Sequence, residues 1–410
     1  VTAPTFSGAS GNLVPKGPEI PPQRRRRWHM VLSLVILLVL SVAGYGVYAL
    51  IKWHQEQEAR LCPGLTETDR PEYSLSMVNG ECIGWTIEQD YGFSPAISDI
   101  TSKIIKQNQQ VAQRGTRYAR IAVLMPMTGN DTTVMPESTI INALRGVYTA
   151  QSRANDPDNH TLGSTSLAFQ VVLANGGKAA DQWRPVIDQL AKLTGGDHPL
   201  VAVTGLGSSV PNTKSAADAL SERGIPVIGA VLTATDMVSK TLFHVSPSNE
   251  QYMAALRAYV DKHRGDLASG FLLRDSKDDN YLNTLIRRHH ERIRISVPAG
   301  EQHLAYTSSR DAGIAVPNLF KLAADKILCT EKTDILFFSG RSRDLASLIN
   351  ELANHTGCVR DKPIVIAVVT TGLGALDTDS QLVENMRSAK ISVINASSTD
   401  YRSWAVGMTV

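Results

Sequence analysis

The sequence predicts an α/β protein: two doubly wound parallel-sheet lobes preceded by one transmembrane helix. Three observations predict it. An uncharged apolar run long enough to span a bilayer lies near the N-terminus; from residue 117 short apolar runs alternate with amphipathic helical segments; and that rhythm occurs in two successive series. Strands of about five residues separated by helices need crossover connections, which build parallel sheets covered on both faces. The 410 residues, 43% hydrophobic, suffice for a large core and two lobes. A net charge of +2 provides no bulk field to recruit nucleic acid.

Residues 1–29 carry Pro4, Pro15, Pro18, Pro21 and Pro22 among small polar residues, as a flexible cytoplasmic Pro/Arg-rich tail would. Residues 30–51, MVLSLVILLVLSVAGYGVYALI, hold no charge. At 1.5 Å per residue they reach about 33 Å, enough for a hydrocarbon core, whereas a signal peptide's apolar region is about 7–15 residues. Arg24, Arg25, Arg26 and Arg27 precede the run and only Lys52 follows closely, so the N-terminus is expected in the cytoplasm and the rest outside. The expected location is thus the cell membrane, single-pass, with the main domain extracytoplasmic. Tyr45, Tyr48 and Trp53 suit an interfacial aromatic belt. Residue 1 is Val, which reads as a piece of a longer product, with truncation expected at both ends.

Residues 52–116 read as a disulfide-bearing juxtamembrane region and a stalk helix. The cysteines form no CxxC pair, which argues against a zinc ribbon or a thioredoxin-type centre. Outside the membrane they can oxidise, Cys62 locally with Cys82. Cys329 and Cys358 each precede an apolar run, 334–338 and 363–366; on neighbouring parallel strands they would lie within disulfide reach. Ile97, Ile100, Ile104, Ile105 and Val111 mark the stalk's apolar face. Lobe 1, residues 117–247, has strands expected at 119–125, 166–174, 200–204, 225–228 and 242–245. Its helices are traced by Ile140 to Tyr148, Trp183 to Leu193, and Asn212 to Arg223. Lobe 2, residues 248–397, has strands expected at 270–273, 293–297, 334–338, 363–369 and 390–394. Its helices are expected at 281–292, 320–327 and 345–353. Residues 398–410 read as the start of a truncated return to lobe 1. Open α/β sheets bind ligands beyond the carboxyl ends of their strands, so two facing lobes make a cleft.

Several stretches carry a family resemblance. In order they are Ile121-Ala-Val-Leu-Met-Pro-Met-Thr-Gly129, Leu200-Val-Ala-Val-Thr-Gly-Leu-Gly-Ser-Ser209, Gly224-Ile-Pro-Val-Ile228, Phe243-His-Val-Ser-Pro-Ser-Asn249, Arg274-Asp275 through Tyr281, Phe338-Ser-Gly340 and Thr370-Thr-Gly372. Together, over residues 117–397, they resemble type I periplasmic binding proteins, in particular the Leu/Ile/Val-receptor-like substrate-binding proteins of ABC importers. The prelude before Arg117 resembles membrane-tethered bacterial members. The resemblance implies Ser208 and Ser209 at a ligand carboxylate, where helix-end N–H groups and small hydroxyls suit an anion. The alternative role for Ser209 or Asn212 is simply to cap that helix. By the same resemblance Val231 and Thr233 lie on the companion loop, Met127 and Thr128 on the first strand-to-helix loop, and Tyr281 near the cleft. Arg341 and Thr371 fall near positions where amino-acid receptors place an aromatic and an acidic residue. That departure bears on the ligand, because a buried ammonium needs a counter-charge. Thr371 supplies none and Arg341 would repel the ammonium, which leaves Asp275 or Asp344 as substitutes, or else an anionic or neutral ligand.

Gly205-x-Gly207 and Gly372-x-Gly374 are fragments without a third glycine, and no GxSxG, HExxH or Walker pattern occurs. His289-His290 reads as a solvated helix face rather than a metal site. The expectation is therefore no enzyme, no cofactor and no metal. The chain reads as an extracytoplasmic solute-binding protein that takes a small polar ligand between its lobes and partners an ABC permease. The alternatives are a sensor signalling to a cytoplasmic domain upstream of residue 1, and a ligand-free scaffold.

Overall fold

Helix α1 (Gln23–Glu58) belongs to a unit spanning residues 1–60, and residues 61–410 make a second unit. The computed structural model describes residues 23–58, 60–115, 117–130, 133–156, 158, 167–263, 265–292, 302–308, 316–358, 362–369, 376 and 379–398. Within α1 the span Val31–Ala49 has a mean hydropathy of 2.3 and is wholly unburied. Leu34, Leu38 and Val42 are exposed, as are Val35, Val39 and Tyr45 on other faces. A helix of a water-soluble domain hides one apolar stripe; α1 is apolar all round and long enough to cross a membrane.

The second unit contains two sheets. The first comprises β1 (Asp69–Arg70), β2 (Tyr73–Val78), β3 (Glu81–Thr86), β4 (Tyr118–Met125), β5 (Ala168–Asn175), β6 (Leu200–Gly205), β7 (Val227–Gly229) and β8 (Leu242–His244), in the order β1-β2-β3-β5-β4-β6-β7-β8. The five strands from β5 to β8 in that order are parallel. The second sheet is wholly parallel: β9 (Gly270–Asp275), β10 (Gln302–Tyr306), β11 (Ile335–Ser339), β12 (Ile364–Val368) and β13 (Ile391–Asn395), ordered β10-β9-β11-β12-β13. Each parallel set thus has its second strand outside its first and its third on the other side. This is a doubly wound order whose switch point lies between the first and third strands.

Alternation along the strands explains how both faces are covered. Ala122, Leu124, Val172 and Ala174 pack with α4 (Trp183–Lys192) and α5 (Pro211–Glu222); Val123, Met125, Val171 and Leu173 pack with α2 (Ser98–Gln113) and α3 (Glu137–Ala154). In the second sheet Phe271, Leu273, Leu336 and Phe338 meet α8 (Val316–Asp325) and α9 (Ser342–Ala353). Leu272, Ile335 and Phe337 meet α6 (Asn249–Lys262) and α7 (Asn280–Arg292). A capping box between Ser248 and Gln251 starts α6, and Asp379 caps α10 (Ser380–Ser388).

Two expectations change. Residues 69–86, read without strands, form an antiparallel extension in which β3 pairs with β5. The hairpin turns on Asn79-Gly80, both at positive φ, the residue pair that a two-residue turn demands. The stalk helix is α2, part of the first lobe. Its Ile100, Ile104 and Ile105 are buried against β4 and β5, and the Asn108 amide donates to the carbonyls of Ile87 and Val171 and accepts from the Val171 N–H. A stalk and a core helix have the same apolar periodicity; only the buried Asn108 distinguishes them. The expected strand 293–297 lies outside the described residues, and β10 fills the sheet position beside β9. Residues 399–410 also lie outside them.

Candidate functional site

At the first switch point, β6 runs into Gly205, Leu206 and Gly207, all left-handed with φ of 95°, 53° and 71°. A Cβ on Gly205 would come 3.0 Å from the Leu124 carbonyl oxygen, and one on Gly207 2.8 Å from Met135 Sδ. The two glycines therefore serve this bend, with the Leu206 N–H bonded to the Leu124 carbonyl at 2.6 Å. The bend delivers Ser208 and Ser209 to the start of α5. No side chain caps that helix: its N-cap is Val210. Ser209 is buried, its Oγ accepting from the Ala234 N–H at 3.4 Å, while Asn212 donates to the Ala179 carbonyl. The capping role is thus filled by neither residue.

Four expected site residues come together across the two lobes. The Tyr281 N–H donates to the Ser209 carbonyl at 3.1 Å. The Asn249 N–H donates to the Thr233 carbonyl at 2.7 Å, and its side chain donates to the Tyr281 carbonyl at 3.0 Å. Arg341 lies over the Tyr281 ring, 4.9 Å from its centre. Asn280 adds a bond to Asp236 at 2.9 Å. Met127, Thr128 and Ser208 each make contacts within the first lobe: Met127 is buried beside Met135, Thr128 donates to Glu81, and Ser208 donates to the Val134 carbonyl at 3.4 Å. Val231 is 40% exposed. Thr371 lies outside the described residues.

The second switch point is charged. Arg341 pairs with Asp279, whose side chain is 1% exposed. This acidic partner lies 62 residues earlier in the chain and balances the Arg341 charge locally. Asp275 Oδ1 accepts from the N–H groups of Lys277 and Ser308 at 3.1 and 3.3 Å, while its Oδ2 and the Ser308 Oγ are buried without a hydrogen-bond partner among the described residues. Burial pushes the Asp275 carboxyl up, against those hydrogen bonds and Arg341. Burial also takes the Tyr281 phenol to about 12, so it stays protonated and donates to the Val369 carbonyl. Tyr306 is pushed well up by burial and then by Asp344, to which it donates at 3.1 Å. Gly340 makes that arrangement possible, since a Cβ there would lie 2.1 Å from Tyr306 Oη. Of this group the sequence reading had named Asp275 and Asp344 but missed Asp279; the acidic run Asp275-Ser-Lys-Asp-Asp279 at a strand end was the available signal.

Disulfides join Cys62 to Cys82 and Cys329 to Cys358, each with Cα atoms 5.7 Å apart. The second sits at the opposite end of β11 and β12 from the switch point, since both cysteines precede those strands.

No protein-family model and no curated protein matches the sequence. Among similar solved structures is an ABC transporter substrate-binding protein from Desulfitobacterium hafniense, also solved in complex with Leu. It is 16% identical with a TM-score of 0.43, and the alignment covers 61% of this chain and 66% of that one. A second, described as a branched-chain amino acid ABC transporter from Rhodospirillum rubrum, is 14% identical with a TM-score of 0.45, covering 68% and 70%. The chain thus spans 66% of the length of the Desulfitobacterium protein. The fold itself is the pair of doubly wound sheets described above, the second wholly parallel and the first parallel over five strands with an antiparallel edge.

Proposed function

We propose that residues 61–410 form an extracytoplasmic solute-binding domain, held to the membrane by α1, that takes a small polar ligand between its two lobes and passes it to a permease. One observation carries this reading: strand-end loops of the first lobe meet the starts of α6 and α7 in the second, through Ser209 and Thr233 on one side and Asn249 and Tyr281 on the other. The ligand crevices of open α/β sheets lie at strand ends of this kind, and two of them facing each other enclose a ligand. The uncapped α5 start supports an anionic group on the first lobe. Asp275 Oδ2, buried and without a hydrogen-bond partner among the described residues, supports a donor-bearing group on the second, as in an amino acid.

A second reading, a scaffold that has lost its ligand, is favoured by the burial of Met127, Ser209 and Thr233 within the protein itself. A thermal-shift screen of the full chain in detergent against amino acids, sugars, nucleosides and short peptides separates the two. A ligand at a hundredfold its dissociation constant adds about 2.7 kcal/mol of apparent stability. If no class shifts the melting curve, the scaffold reading replaces the solute-binding one.

A further inference from the structure

At the far end of the second sheet, the disulfide is not alone. His355 Nε2 lies 3.2 Å from Cys329 Sγ and 3.7 Å from Asp325 Oδ1. The ligand atoms of Cys329, His355 and Cys358 all fall within 4.8 Å of one another, the only such group of three among the described residues. The spacing has a local cause. Asp325 ends α8 and Cys329 lies four residues on, in the π-helical turn Lys326–Thr330, so both project from one side. His355 and Cys358 are three residues apart in the loop after α9. Gly357 lets that loop close over the imidazole: a Cβ there would stand 2.7 Å from Nε2. The His355 side chain is only 12% exposed, yet its ring nitrogen is aimed at the sulfur.

We propose that reduction of Cys329–Cys358 converts this cluster into a tetrahedral site for a zinc-class divalent cation, with Asp325, Cys329, His355 and Cys358 as ligands. Sulfur, imidazole and carboxylate are the donors zinc selects, and their bond lengths space the ligand atoms of a tetrahedron about 3.4–3.8 Å apart. The His355–Cys329 and His355–Asp325 separations already approach those values; the two sulfurs have to part, and the Asp325 carboxylate, which lies outside the group of three, has to close on them. A dithiol reductant supplies the two electrons and two protons: the protein S–S bond breaks, two thiols form, and the reductant closes to its own disulfide. The cation then displaces both thiol protons, forming two thiolate bonds and releasing two protons to solvent. The partial exposure of both cysteines gives the reductant access. The site is independent of the ligand cleft. Among the described residues the other disulfide belongs to no such group; Cys82 Sγ accepts from the Tyr91 hydroxyl.

The test is cobalt(II) titration of the full chain in detergent, oxidised and after dithiol reduction with the reductant removed under nitrogen. The reduced chain is expected to bind one cobalt with tetrahedral and thiolate-to-metal absorption, and the oxidised chain to show neither. In the reduced state His355→Ala is expected to weaken binding by at least about tenfold, the lower range for disturbing even an outer partner of a metal. That variant keeps both disulfides when oxidised, so its oxidised melting curve checks folding. It also leaves Cys62 and Cys82 untouched, so cobalt held equally by wild type and His355→Ala overturns the site. A reduced chain that binds no cobalt, folded or unfolded, overturns it as well.

Discussion

The two lobes share a strand order but equip their switch points differently. In the first, the chain turns through three left-handed residues, and what it presents is backbone and small hydroxyls: the Ser209 carbonyl, the Thr233 carbonyl and the uncapped start of α5. In the second, a single glycine admits a tyrosine hydroxyl, and the surroundings are charged, with Arg341, Asp275, Asp279 and Asp344 gathered around Tyr281 and Tyr306. The difference separates conformation from electrostatics. The first lobe's geometry depends on φ angles that glycine relieves, the second lobe's on keeping buried charges paired.

If that division is right, the largest effect comes from the second lobe. Arg341→Ala leaves Asp279 buried without its cation and is expected to cost about 3 kcal/mol in denaturant unfolding, near the low end for a broken buried pair because Arg341 is 24% exposed. Ser209→Ala, which removes only a long hydrogen bond, is expected to cost less than about 1 kcal/mol. Equal losses from the two substitutions would erase the contrast.

Next in size is Gly207→Ala. A left-handed residue with a Cβ costs about 1–2 kcal/mol, and here the Cβ also crowds Met135 Sδ, a flexible atom that can shift. The same unfolding measurement should show about that loss. A neutral result would mean that the first lobe's bend relaxes freely.

The smallest effect is a slope. Burial raises the folded-state pKa of Asp275 above the unfolded carboxylate value of about 3.9, so the native state holds the proton more tightly. Its contribution is fully present below that value and is lost as pH rises through the folded pKa. Asp275→Asn, which cannot ionise, should flatten the fall in stability with rising pH over that window. An unchanged slope would remove Asp275 from the electrostatic account.

Much of the framework was legible beforehand because it depends on near neighbours in the chain. The apolar runs around Val123, Val172, Phe271 and Leu336 mark strands buried on both faces, and the spacing of Trp183, Val186, Ile187 and Leu190 marks one side of a helix. The unpredicted hairpin at residues 73–86 was signalled by Asn79-Gly80, but nothing local says that its outer edge joins β5. Similarly, the periodicity of α2 reads equally well as stalk or core until Asn108 finds the β5 backbone.

By itself the sequence determined the apolar helix, the alternation of strands and helices and the residue types at the strand ends, since side-chain periods of 2 and 3.6 are written in consecutive residues. Tertiary structure alone decided that Asp279 neutralises Arg341, that Ser209 receives the Tyr281 N–H, and that His355 comes to rest beside Cys329. Each of those pairs is separated by 26 to 72 residues, and such distances are closed by how helices pack onto sheets rather than by any pattern along the chain.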